Sequence, residues 1–118
     1  MAKPEIEFTD CDIAFEWRIV DESLGIREKI LSHDPETGDY SRLLKFPPGI
    51  ETGSTLVHDF WEEVVILEGS LYDKAKQETY LEGYYACRPP GMTHGPYSIP
   101  YGCTTILSPR QMLDFVRS

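Results

Sequence analysis

The chain has 118 residues and carries 20 Asp and Glu against 11 Lys and Arg, a formal charge of -9. That length supports one hydrophobic core rather than two, and 41% hydrophobic residues with 12% aromatics are too many for a disordered acidic tail. The acidity, without any basic run, argues against nucleic acid or an anionic membrane as a partner, because phosphate contacts need clustered Lys and Arg. The longest apolar run, Val64 to Leu67, is far short of the roughly 20 residues of a membrane span. The opening residues lack the apolar stretch of a signal peptide. Three cysteines, Cys11, Cys87 and Cys103, have no CxxC spacing and read as reduced thiols, so a cytoplasmic location is expected. The charge is uneven: residues 1–40 hold a net -7 and residues 41–118 a net -2.

In chain order, Phe15–Val20 reads as an edge strand carrying Trp17. Gly25–Ser32 and Tyr40–Phe46 flank Asp34-Pro35-Glu36-Thr37-Gly38, which predicts a hairpin. Short strands follow at Thr55–Val57, Glu63–Leu67, Ser70–Tyr72, Thr79–Leu81, Tyr84–Arg88 and Thr104–Leu107, separated by Gly and Pro. Short β-rich runs at this spacing predict an all-β sandwich or barrel. Ser108-Pro109 looks like a helix cap followed by Pro at the first helical position, with Met112, Phe115 and Val116 at helical spacing, so a short C-terminal helix is expected. No linker or internal repeat divides the chain, and residues 1–118 are expected to form one domain.

The chemistry is concentrated between Thr55 and His94. One pattern runs His58-x3-Glu62-x6-Gly69, and a second runs Gly83-x5-Pro89-x-Gly91-x2-His94. Together they resemble the paired signatures of the cupin superfamily. The doubled Glu62-Glu63, the Val65 to Gly69 run, Asp73, Gly83 and Gly102-Cys103 are similar to its ChrR-like anti-sigma-factor branch. The resemblance covers about residues 40–107 and implies a double-stranded β-helix, or jelly-roll barrel. It implies a divalent metal (Fe, Mn, Ni, Zn or Co) held by His58, Glu62 and His94. Two imidazoles and a carboxylate leave coordination positions open for a chelating substrate, unlike a closed structural zinc site.

The sequence departs from the superfamily pattern in three places. Leu56 stands where the first motif His belongs, Ile50 replaces a Gly, and Ser98 replaces the later Asn. Strand alternation sends Glu62 and Glu63 to opposite faces. The spacing to Gly69 favours Glu62 as the ligand, with Glu63 held as second choice and as a candidate catalytic base.

Leu56, Arg42, Arg88, Tyr97 and Cys103 are candidate pocket residues. An inward Arg would clamp a substrate carboxylate, although surface exposure is the plainer reading of Arg42 and Arg88. A buried inert thiol is the plainer reading of Cys103, and His33 beside the Pro turn reads as a solvated loop residue. Three functions stay open at this stage. One is a small metal-dependent enzyme (dioxygenase, isomerase or lyase) acting on a small oxygenated substrate. The second is a non-catalytic ligand- or redox-sensing module, and the third is a degenerate cupin without metal. A homodimer formed through the edge around Trp17 is expected.

Overall fold

The computed structural model describes residues 3–111. After a single helical turn, α1 (Cys11–Ala14), the described chain is built from strands: β1 (Arg18–Asp21), β2 (Ile26–His33), β3 (Asp39–Phe46), β4 (Ile50–Glu51), β5 (Leu56–Val57), β6 (Glu62–Asp73), β7 (Glu78–Leu81), β8 (Tyr85–Arg88), β9 (Thr93–His94), β10 (Tyr97–Ile99) and β11 (Cys103–Gln111). One sheet runs in the order β1-β2-β3-β11-β6-β10-β4, with β7 and β8 on the other edge of β6, and β5 pairs with β9 in a separate ribbon. All pairings are antiparallel. This curled sheet is the cupin jelly roll expected from the sequence.

The β2–β3 hairpin follows from local chemistry. Asp34 accepts the Glu36 amide on its side chain, its carbonyl accepts the Gly38 amide, and Gly38 takes φ 83°, a conformation that suits glycine. Outside this hairpin, the Lys29 ammonium is buried under the N-terminal segment. It bonds the Cys11 carbonyl at 2.9 Å, lies 3.6 Å from Asp12 and rests 4.7 Å above the Trp17 ring. The segment around Cys11 to Trp17 thus both buries Lys29 and supplies the carbonyl, carboxylate and ring that offset its desolvation.

Strand β6 organises the barrel. The sequence predicts two strands broken at Gly69, but the structure runs one strand from Glu62 to Asp73. Its first half pairs with β11 and β8, and its second half with β10 and β7. Gly69 is the point of exchange. It adopts φ 79°, and a Cβ there would lie 2.1 Å from the Gly102 carbonyl oxygen, so only glycine allows the two segments to approach.

The helix start predicted at Ser108-Pro109 is replaced by strand, because Ser108 to Gln111 continue β11. Strands on both sides, β3 and β6, bond the backbone that a helix would have satisfied within itself. Pro109 falls at the register shift between Leu107 and Arg110, where its missing N–H is tolerated. Met112, Phe115 and Val116 lie outside the described residues.

Ile50, Ile66, Ile99 and Cys103 form the apolar centre, with Phe46, Leu71 and Tyr80 packed against it. Glu62 and Ile66 are both buried on β6 while Glu63 is exposed, and over residues 62–66 the even-numbered positions share one face. The Glu62 end of the barrel is therefore polar and the Ile66 end apolar.

Candidate metal centre

Two turns bring the motif residues together. Pro89 to Met92 form a turn closed by the Met92 amide on the Pro89 carbonyl, with Pro90 second and Gly91, at φ 85°, third. This is the arrangement of a type II turn, which takes Pro then Gly at those places. The Gly91 amide then donates to the His58 carbonyl at 2.9 Å, tying the second motif to the first. The turn delivers Thr93–His94 to β5, where His94 lies opposite Leu56. On β6, Glu62 lies opposite Arg88 of β8, and directly opposed residues project to the same side of a sheet.

As a result His58, Glu62 and His94 converge at one buried place, and one ligand atom from each lies within 4.8 Å of the others. His58 Nε2 is 3.9 Å from Glu62 Oε2. The two imidazoles meet edge-on at 4.9 Å between centroids, and Phe60 stacks on His58 at 4.7 Å. The donor set is right for a divalent cation: two imidazoles and one carboxylate, all under 10% exposed. Zinc–ligand bonds of about 2.1 Å at tetrahedral angles put neighbouring ligand atoms about 3.4 Å apart. Side chains spread over up to 4.8 Å would therefore have to draw together by about an ångström to hold such an ion.

Arg88 lies inside this group rather than at the surface. Its Nη1 donates to Glu62 Oε1 at 3.2 Å and lies 3.2 Å from His94 Nδ1, while Nη2 donates to the Tyr97 hydroxyl at 3.0 Å. Its side chain is 15% exposed. Tyr97 is fixed in turn by Thr52, whose hydroxyl accepts the Tyr97 amide at 2.7 Å and whose amide donates to the Tyr97 carbonyl at 2.9 Å. Burial pushes the Tyr97 phenol above its ordinary range despite the opposing pull of Arg88, so it stays protonated near neutrality.

The other sequence candidates lie elsewhere. Glu63 is exposed on the opposite face, where the Tyr85 hydroxyl donates to it, so it does not face the histidines and its assignment as a base there is corrected. That bond is the main reason the Tyr85 phenol is held far above its usual range.

Arg42 is also not a surface residue. It is 3% exposed and bonds Glu28 at 2.8 Å, on β3, two strand spacings from β6, or about 10 Å. Cys103 belongs to the apolar centre rather than to the group, and burial raises its thiol to about 11. Leu56 stands beside His94 with 42% of its surface exposed, at the rim of the group. His33 ends β2 and is exposed.

The cupin resemblance pointed to the three converging side chains, and Phe60 reads from the sequence as a core or rim aromatic; Thr52 was missed. Nothing in the sequence points to Thr52, because the β10–β4 contact that holds it is long-range.

A cleft of about 530 Å³ lies away from this centre, lined in part by Arg27, Lys45, Glu68, Tyr101 and Thr104. It shares no residue with the histidine–glutamate group. Chemistry rather than cleft size therefore marks the candidate site. Among the described residues, no helix is long and apolar enough to cross a membrane.

The fold recurs in solved structures. The chain is similar to an RmlC-like cupin from Shewanella frigidimarina, with TM-score 0.70 and 20% identity over 92% of this chain and 93% of that one. It is similar to an acetylacetone dioxygenase from Acinetobacter johnsonii, with TM-score 0.67 and 18% identity over 91% and 73%. It is also similar to a chain of the Rhodobacter sphaeroides SigE complex with the anti-sigma ChrR, with TM-score 0.62 and 19% identity over 83% and 51%. No curated protein matches the sequence. Identities this low carry the fold alone, but the match to the ChrR cupin-like domain extends over residues 9–113, nearly the whole chain, and the protein therefore belongs to the ChrR cupin-like family.

Proposed function

We propose that this protein is a metal-dependent cupin that binds a small oxygenated molecule at a divalent cation held by His58, Glu62 and His94. The observation that carries this reading is the convergence of three buried ligand atoms within 4.8 Å. A divalent ion bound there would supply Lewis-acid polarisation of an oxygen donor.

The chain's own residues do the rest. Phe60 screens His58 from water, Arg88 and Tyr97 present hydrogen-bond donors on the same side as Glu62, and Leu56 offers an apolar rim. An acetylacetone dioxygenase among the similar structures supports an oxygenated small molecule as the ligand class. On this reading β1, which pairs with β2 alone among the described residues, is the edge through which two copies would join.

Metal content of protein purified without added metal tests the proposal. About one equivalent in the wild type and loss of it in His94→Ala are expected. A wild type that neither retains nor binds a divalent ion would sink it.

A second reading has an observation of its own. The ChrR cupin-like family and the similarity to a chain of a sigma–anti-sigma complex favour a sensing module that binds a ligand or protein without turnover. Stoichiometric capture of one protein partner, with no turnover on diketone, phenolic or sugar-acid substrates, would favour that reading over the enzyme.

A further inference from the structure

The Arg88 guanidinium stands where a cation would draw on the same ligands. Its Nη1 is 3.2 Å from Glu62 Oε1 and 3.2 Å from His94 Nδ1. Arginine has donors only and keeps its charge at any ordinary pH. His94 Nδ1 must therefore accept, which places the proton of a neutral His94 on Nε2.

Both ways of using His94 as a ligand then meet the same obstacle. A cation on Nδ1 competes directly with the guanidinium. A cation on Nε2 moves the ring proton to Nδ1, where two N–H groups would face each other. Glu62 is shared differently: Arg88 holds Oε1 while Oε2 faces His58 Nε2 at 3.9 Å, so the guanidinium offsets the carboxylate's charge rather than covering both oxygens.

We infer that Arg88 is a built-in competitor of the metal: it neutralises Glu62 and occupies His94, and a divalent cation binds only by displacing it. This rests on the metal reading proposed above and deepens it, because it names the residue that sets how tightly the cation is held. The geometry allows the exchange. The Arg88 side chain is 15% exposed, so it borders solvent and has room to swing away. Its third contact is the Tyr97 hydroxyl. The ligand atoms are spread over up to 4.8 Å, wider than one small ion allows, and the guanidinium bridges two of the three side chains.

The test measures Zn²⁺ and Mn²⁺ affinity by titration calorimetry on the wild type, Arg88→Met and His94→Ala. Arg88→Met is expected to bind about tenfold more tightly or better, because it removes a charge-assisted hydrogen bond that the cation must break. It should also show a larger metal-induced rise in melting temperature. Equal or weaker binding by Arg88→Met would overturn the competitor role and leave the metal site standing. No binding by either protein would overturn the metal reading itself, so the two failures are distinct.

Should Arg88→Met not fold, a crystal structure of wild-type protein soaked in Zn²⁺ decides the matter. A guanidinium turned away from His94 Nδ1 supports the inference. One still within hydrogen-bond distance of both Glu62 and His94 beside the ion would overturn it.

Discussion

The Glu28 and Glu62 clusters each bury a carboxylate against an arginine, and they are held in different ways. Glu28, with no exposed surface, takes Arg42 on one oxygen at 2.8 Å and Arg18 on the other at 2.6 Å. These short contacts lie within a sheet, across β1, β2 and β3. In the second cluster Arg88 reaches Glu62 at 3.2 Å while dividing its guanidinium among a carboxylate, an imidazole and a phenol. The first arrangement is a clamp with matched partners. The second holds the same charges in longer, shared contacts beside two imidazoles, which is the form expected where the partner of the carboxylate is exchanged. Burial of an ion pair therefore does not by itself mark a site. How completely the partners are committed to each other does.

The largest effect should come from breaking the clamp. Glu28→Ala leaves Arg42 buried beside a missing partner, and such losses destabilise by about 3–5 kcal/mol. Urea denaturation should show a lower midpoint with an unchanged slope. Glu62→Ala should lose distinctly less, because Arg88 can reach water. Equal losses for the two variants would erase the distinction between the clusters.

Metal affinity should reverse that order. Glu62→Gln keeps the shape but removes the anionic ligand, and divalent affinity should fall by at least the about 100-fold seen when supporting partners of a ligand are lost. Glu28→Gln should leave affinity within a factor of about three, since Glu28 lies outside the histidine group; a comparable drop would mean the two clusters are electrostatically one.

The sequence disclosed these regions unequally, for physical reasons. The β2–β3 hairpin was legible because its turn is satisfied within Asp34 to Gly38. Gly69 read as a turn because positive φ has that local meaning; its actual role depends on Gly102, which arrives from β11. Ser108-Pro109 read as a helix start from local capping chemistry, and the ladders to β3 and β6 overrode it. His58, Glu62 and His94 were implied by the resemblance of their two motifs to the cupin signatures. The choice of Glu62 over Glu63 rested on alternation and on the spacing to Gly69, and only Glu62 is buried. The surface reading of Arg88 and Arg42 failed because each owes its burial to a partner across a strand pairing: Arg88 to Glu62, 26 residues away, and Arg42 to Glu28, 14 residues away. Pairing register of that kind is not written in a local pattern.

A smaller effect tests how the second cluster is supported from outside. Tyr97→Phe removes the acceptor of Arg88 Nη2 but leaves the ring packed, and a hydrogen bond of this kind contributes about 1 kcal/mol. The melting temperature should fall by about 4 °C, whereas a drop as large as that of Glu28→Ala would show that the second cluster clamps the fold as firmly as the first.

The smallest perturbation uses Cys103, which lies in the apolar centre. Burial raises its thiol from 9.0 to about 11, so folding favours the neutral form. The sign follows: its contribution to stability is complete below about pH 9, where the unfolded thiol is also protonated, and is lost as pH climbs through 11. At pH 8 iodoacetamide should label exposed Cys87 and spare Cys103, as read by peptide mass spectrometry. Protection of Cys103 should persist in Glu62→Gln and weaken in Glu28→Ala, where the barrel wall has lost its clamp. Labelling of Cys103 as fast as Cys87 in the wild type would contradict the burial on which this comparison depends.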